Sequence, residues 1–221
     1  MNETGFWIEE SVLSRRECNS LLEALSRDRE VRTRAGARHL MSKTAVASLA
    51  NDQRLLHIAR RTLKEGAVPY RATLFEKSER ANWLVVWHQD TALPLVKRFE
   101  SGEWGPWARK AGVLYAHAPA WALSRVLALR IHLDASTREK GPLRIIPGSH
   151  VAGVLSDEEV FRLARRNEHV ECLVAQGGVL AMRPLLIHSS SKSRADGPRR
   201  VLHIEYAESL RLSEDVRLAV A

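Results

Sequence analysis

The sequence predicts a mainly β chain, a barrel or sandwich braced by helices. Three observations lead there. Short segments of strand character run through its middle and C-terminal parts, separated by turn chemistry. Amphipathic helical segments lie mostly ahead of them. At 221 residues, 45% of them hydrophobic, the chain can also build a sizeable core.

Taken in order, Ser14 and Glu17 form a capping box that opens a helix with Cys18, Leu21, Leu22 and Leu25 on one side. A second helix begins near Asn51-Asp52, sets Leu55, Leu56, Ile58, Ala59 and Leu63 at helical spacing, and stops at Gly66. Together they make an N-terminal helical support of about residues 1–66. Strands are expected at 70–75, 83–88, 126–133 and 143–146. A third helix, 156–166, starts with the capping box Ser156 and Glu159, and strands resume at 170–174, 179–182 and 201–206. Pro147-Gly148, Gln176-Gly177-Gly178 and Asp196-Gly197-Pro198 supply the breaks. With no internal repeat or boundary, residues 1–221 read as one domain whose barrel core is about 70–207.

Residues 91–125 depart from this pattern. They hold Pro94, Pro106 and Pro119 with Trp104, Trp107, Tyr115 and Trp121, without clean periodicity. A long loop inside a compact chain is usually functional. The segment is therefore expected to be a lid, with Trp104 and Trp107 on the wall of a substrate pocket and Arg109 or Lys110 meeting an anionic group.

Composition excludes several classes. The start, MNETGFWIEESVLSRREC, lacks the basic region and apolar run of a secretory signal. No stretch approaches the ~18 to 20 apolar residues of a membrane helix. Cys18 and Cys172 are too few and too far apart for a zinc site or a disulfide framework. A cytoplasmic protein is expected. The 34 Lys plus Arg against 26 Asp plus Glu give a net charge of +8, which favours anionic partners. The basic residues are scattered, however, and read mainly as solvated surface rather than as a nucleic-acid footprint.

Two His-x-Asp frames occur, His88-Gln89-Asp90 and His132-Leu133-Asp134. An iron that activates dioxygen needs two imidazoles and one carboxylate on one face, with the opposite face open. On a strand, residues i and i+2 point to the same side, so this frame delivers two ligands at once. The first frame leaves enough strands before a distal histidine for a barrel to close; the second would consume the 126–133 strand. His188 is the distal candidate, because the HSSSKSRADGPRR that follows offers a serine and paired arginines. Arginine supplies the planar, bidentate donors that a diacid co-substrate requires.

The segments WHQD, GPLRIIPGSH and RPLLIHSSSKSRADGPRRVLHIEYA resemble the phytanoyl-CoA dioxygenase family of Fe(II)/2-oxoglutarate oxygenases, over roughly residues 70–207. The resemblance implies a double-stranded β-helix, the jelly-roll or cupin-like barrel. It implies His88 and Asp90 as proximal iron ligands and His188 as the distal one. Ser190 and Arg199 match the positions that hold the far carboxylate of 2-oxoglutarate. Arg130 occupies a place near the 2-oxo acid, and Thr73, Lys77 and Asn82 are three candidates for a further polar contact. The implied reaction consumes dioxygen and 2-oxoglutarate, releases succinate and carbon dioxide, and hydroxylates a small or carrier-bound substrate. In related halogenases a small residue replaces the carboxylate, so Asp90 points to hydroxylation or desaturation. A nucleic-acid or protein demethylase on the same core, and a non-catalytic cupin-like binding module, are the rival classes.

Overall fold

The structure, a computed structural model, describes residues 3–27, 32–33, 36–79 and 81–221. The N-terminal part runs β1 (Phe6–Glu9), α1 (Arg15–Arg27), β2 (Arg32–Thr33), β3 (Gly36–Ala37), α2 (Thr44–Ala50) and α3 (Gln53–Leu63). Next come β4 (Val68–Lys77), β5 (Val85–His88), β6 (Ala92–Leu95), β7 (Trp107–Lys110), β8 (Val113–His117) and α4 (Ala120–Leu123). The chain ends with β9 (Val126–His132), β10 (Leu143–Ile145), α5 (Asp157–Arg166), β11 (Val170–Cys172), β12 (Val179–Met182), β13 (His188–Ser190) and β14 (Arg199–Ala207). No helix among the described residues is long and apolar enough to cross a membrane.

The three expected helices form where their caps predict. The Ser14 backbone N–H donates to Glu17 Oε2 at 2.7 Å, and the Glu17 N–H returns to Ser14 Oγ at 3.2 Å. Asp52 caps α3 by accepting from the Arg54 N–H, and Ser156 with Glu159 makes a complete box on α5. Each cap satisfies donors that the first helical turn leaves free, typically worth about 1 kcal/mol.

Two sheets face each other in a double-stranded β-helix. The larger has the order β1-β12-β9-β14-β4-β3-β2, the smaller β11-β10-β13-β5, and a third sheet, β6-β8-β7, lies beside them. Alternation along the central strands divides the chemistry. Ala72 and Leu74 of β4, Leu127, Leu129 and Ile131 of β9, and Leu202, Ile204 and Tyr206 of β14 face outward. They pack beneath the helices against Cys18, Leu21, Leu55 and Ile58. The Tyr206 hydroxyl is satisfied by the Ala50 carbonyl at 2.9 Å.

The opposite parity faces the barrel interior and is unusually polar: Arg71, Thr73, Phe75 and Lys77 on β4, Arg130 and His132 on β9, and Arg199, His203 and Glu205 on β14. Cross-strand register pairs Arg199 with Lys77, His203 with both Thr73 and Arg130, and Glu205 with Arg71. The other part of the interior is apolar, built from Ala128, Leu143, Ile145, Leu180, Met182 and Leu186.

Candidate functional site

His88 closes β5 and His188 opens β13, and the two are direct cross-strand partners in the smaller sheet. Asp90 follows β5, held by its backbone N–H donating to the Pro184 carbonyl at 3.0 Å. One Asp90 oxygen lies 3.7 Å from His88 Nε2 and the other 3.6 Å from His188 Nε2. Among the described residues this is the group of His, Cys, Asp and Glu side chains arranged to hold a metal ion, its ligand atoms within 4.8 Å of one another.

Tautomer and charge suit that role. Nδ1 of His88 is 2.8 Å from the Val86 carbonyl, and Nδ1 of His188 is 2.8 Å from the Leu186 carbonyl. A carbonyl only accepts, so each Nδ1 carries the proton and each Nε2 lone pair is left for a metal. Burial pushes the His188 imidazole down to about 4, against the opposing pull of Asp90. Burial pushes the Asp90 carboxyl up, but His188 and His88, joined by His203 and Arg71, outweigh it and hold it well below the usual carboxylate range. Gln89, between the ligands, points the other way. Its amide donates to Gly153 and Leu185 carbonyls at 2.9 and 2.8 Å and accepts from the Leu155 N–H at 2.9 Å, clasping the neighbouring loops.

The second frame does not assemble. Asp134 accepts two side-chain bonds from Arg200, at 2.7 and 2.9 Å, plus the Arg200 backbone N–H at 2.9 Å. His132 is buried away from it and held neutral by burial, then by Arg130 and Arg199.

A cavity of about 90 Å³ reaches from the triad into the barrel. Its walls include Lys77, Arg130, Ser190 and Arg199, together with Phe75, Trp83, Val85 and Leu143. Arg199 is 4% exposed, and its Nε and Nη1 have no hydrogen-bond partner. Burial, then Arg130, pushes its guanidinium down to about 10. Lys77 donates to Ser190 Oγ and the Ser191 carbonyl, and burial followed by Arg199, Arg130 and Arg144 pushes its ammonium down to about 7. Arg130 donates to His203 Nδ1 at 3.1 Å and lies over the Phe75 ring, 5.3 Å from its centroid. Buried cations crowded this closely fit an anionic occupant.

Of the three candidates for a further polar contact, Thr73 and Asn82 are not on the wall of this cavity. Asn82 exchanges hydrogen bonds with the Ser193 backbone at 2.8 and 2.7 Å, anchoring that loop. Thr73 is on the wall of a second, outer cavity of about 320 Å³. This cavity shares Phe75, His88 and Asp90 with the first, so the triad sits between the two.

Trp104 and Trp107, expected on the wall of a substrate pocket, line neither of these two cavities. Trp104 is 5% exposed in an aromatic cluster with Phe99, Trp107 and Trp121, in edge-to-face contacts 5.3 to 6.0 Å apart. Arg109 is exposed and donates to the Gly112 carbonyl at 2.8 Å. The reason is strand parity in a segment that forms a sheet instead of an irregular loop. Trp107 and Arg109 share the face of β7 opposite Ala116 and Leu114, whereas Lys110, Tyr115 and His117 have the other parity and line the outer cavity. Also overlooked were Phe75, Arg71 and His203, whose signal was available. In both 71–75 and 202–205, polar or aromatic residues alternate with apolar ones.

The family described as phytanoyl-CoA dioxygenase (PhyH) matches residues 1–201. No curated relative matches the sequence. Among solved structures, AviO1 from Streptomyces viridochromogenes Tue57 is 22% identical over 98% of this chain and 93% of its own, with a TM-score of 0.67. EctD from S. alaskensis, crystallised with 2-oxoglutarate and 5-hydroxyectoine, is 22% identical over 94% of this chain and 73% of its own (TM-score 0.70). HygX from Streptomyces hygroscopicus, with nickel and 2-oxoglutarate bound, is 19% identical over 99% of this chain and 91% of its own (TM-score 0.65). At these identities the structures establish a shared fold.

Proposed function

The chain belongs to the phytanoyl-CoA dioxygenase family of 2-oxoglutarate-dependent non-haem iron oxygenases, and from that premise we propose that it hydroxylates a small organic molecule held in the outer cavity, releasing succinate and carbon dioxide. The observation that carries this reading is the position of the triad between two cavities, one small and lined by buried cations, the other larger.

The residues present fit the group. His88, Asp90 and His188 would hold Fe(II) through two neutral imidazoles and a carboxylate, with the backbone-bonded Nδ1 atoms fixing both rings. Arg199, Ser190 and Lys77 would hold the far carboxylate of 2-oxoglutarate, and the unpartnered Arg199 nitrogens are the donors available for it. Arg130 would face the same co-substrate while keeping His203 in the tautomer with Nδ1 free to accept. When bound, iron with 2-oxoglutarate supplies the activation of dioxygen towards an unreactive C–H bond. The protein's own task is to orient the substrate and exclude water. The β6–β8 sheet packs Leu93, Leu95 and Ala116 into a hydrophobic cluster with Trp104 and presents Lys110, Tyr115 and His117 to the outer cavity.

A screen of purified, iron-loaded protein against amino acids, acyl carriers and oligonucleotides, read as succinate release, tests the proposal. The expected substrate is a small or carrier-bound molecule whose product is heavier by one oxygen atom drawn from labelled dioxygen. Substrate-dependent succinate with no oxygen incorporated would replace hydroxylation by desaturation. A response confined to oligonucleotides would move the protein to the nucleic-acid class.

A further inference from the structure

The outer cavity holds more positive charge than its surroundings balance, and we infer that Arg38 and Lys110 bind an anionic group of the substrate, a carboxylate or a phosphate monoester. This rests on the reading above, in which the outer cavity receives the substrate, and it names the class of molecule.

Most polar groups around the cavity are already committed. Arg71 is paired with Glu205 and donates to the Ala92 carbonyl at 3.0 Å. His203 accepts from Arg130, and His117 is bonded to the Thr91 hydroxyl at 2.7 Å. The Tyr115 hydroxyl is bonded to His39 at 2.8 Å. Asp90 belongs to the metal set. Arg38 and Lys110 remain, both exposed, and neither has an acidic partner among the described residues. The Lys110 ammonium lies 5.4 Å from the centre of the Tyr115 ring, a contact that leaves its donors free. Its proton is held below the usual lysine range by partial desolvation, then by Arg38 and Arg71, as expected when three cations converge on one space.

Both side chains are delivered by ordered backbone. Lys110 ends β7 at a two-residue turn, Ala111-Gly112, whose φ angles of 45° and 84° match the primed hairpin type that suits strand twist. Arg38 follows β3, which pairs directly on β4 through Gly36 and Ala37. A Cβ at Gly36 would fall 1.8 Å from the Leu74 carbonyl oxygen, so only glycine permits that approach. An anion seated on Arg38 and Lys110 leaves the rest of its molecule inside a cavity whose other wall is His88 and Asp90.

The test uses full-length protein loaded anaerobically with Fe(II) and saturating 2-oxoglutarate, which keeps the inner cavity filled. Inorganic phosphate, acetate and neutral acetamide are the probes, and iron-induced broadening of the ³¹P or methyl ¹H resonance is the readout. Saturable broadening of an anion but not of acetamide is expected, and phosphate against acetate distinguishes the two sources. Arg38→Gln and Lys110→Gln should each weaken binding about tenfold, while the visible band of the bound 2-oxo acid persists. No saturable anion binding in protein that shows the band would overturn the inference, as would binding retained in the double variant or equal binding of acetamide. A wild-type protein without the band would instead sink the iron reading.

Discussion

Arg199 and Arg200 are adjacent, identical in chemistry and opposite in fate. Arg199 faces the barrel interior with free guanidinium nitrogens, whereas Arg200 grips Asp134 from the other side of the strand. Arg199→Ala is expected to raise the 2-oxoglutarate requirement by one to two decades, since a charge-assisted hydrogen bond is typically worth ~1.5 to 3 kcal/mol. Arg200→Ala should leave it nearly unchanged; titration of both variants with 2-oxoglutarate decides, and equal effects would refute the assignment. Lys77 adds a pH dependence. Its ammonium is lowered to about 7 by burial and then by neighbouring cations. A bound dianion favours the protonated form, so binding takes up a proton where Lys77 is neutral. Affinity is then fullest below pH 7 and falls as pH rises beyond it. Calorimetry in buffers of different ionisation enthalpy should detect that uptake above pH 7, and Lys77→Met should abolish it. The Arg199–Arg200 distinction was legible because a strand's period of two admits only one to the interior. The choice among Thr73, Lys77 and Asn82 was not, because it depends on what lies across the barrel.

At the scale of elements, capped helices were the most legible parts, since Ser14, Asp52 and Ser156 announce them locally. The β6–β8 sheet was the least. Its strands are short, its prolines interrupt the pattern, and its pairing joins residues far apart, as Ala92 with His117. That topology assigns Trp104 to packing. Trp104→Ala should cost about 3 to 5 kcal/mol of stability, measured by denaturant unfolding, with succinate formation still coupled to product in the folded fraction. Normal stability with uncoupled succinate would restore Trp104 to the pocket wall. The α2 helix and the three-residue β13 were not foreseen either. The second matters more, because His188 begins a strand where the apolar run before it suggested an ending.

Across the whole molecule, the fold class could be read from turn spacing and strand count, and His88, Asp90 and His188 gather as a candidate metal triad, but the neighbourhood of that triad could not be read. His88 and His188 meet through a register between distant strands, and no local pattern fixes such a register. The charge is redistributed in the same way. Lys77, Arg130 and Arg199, which contribute to the net +8, lie buried inside the barrel at 2%, 6% and 4% exposure. Part of the basic character therefore serves the interior and not a solvated surface. The central claim is that His88, Asp90 and His188 hold iron beside a 2-oxo acid. Anaerobic addition of Fe(II) and 2-oxoglutarate tests it through the weak visible charge-transfer band of the chelated co-substrate. The account predicts the band in the wild type and in His132→Ala, and its absence in Asp90→Ala and His188→Ala. A band that survives loss of Asp90 or His188 but disappears with His132 would contradict it.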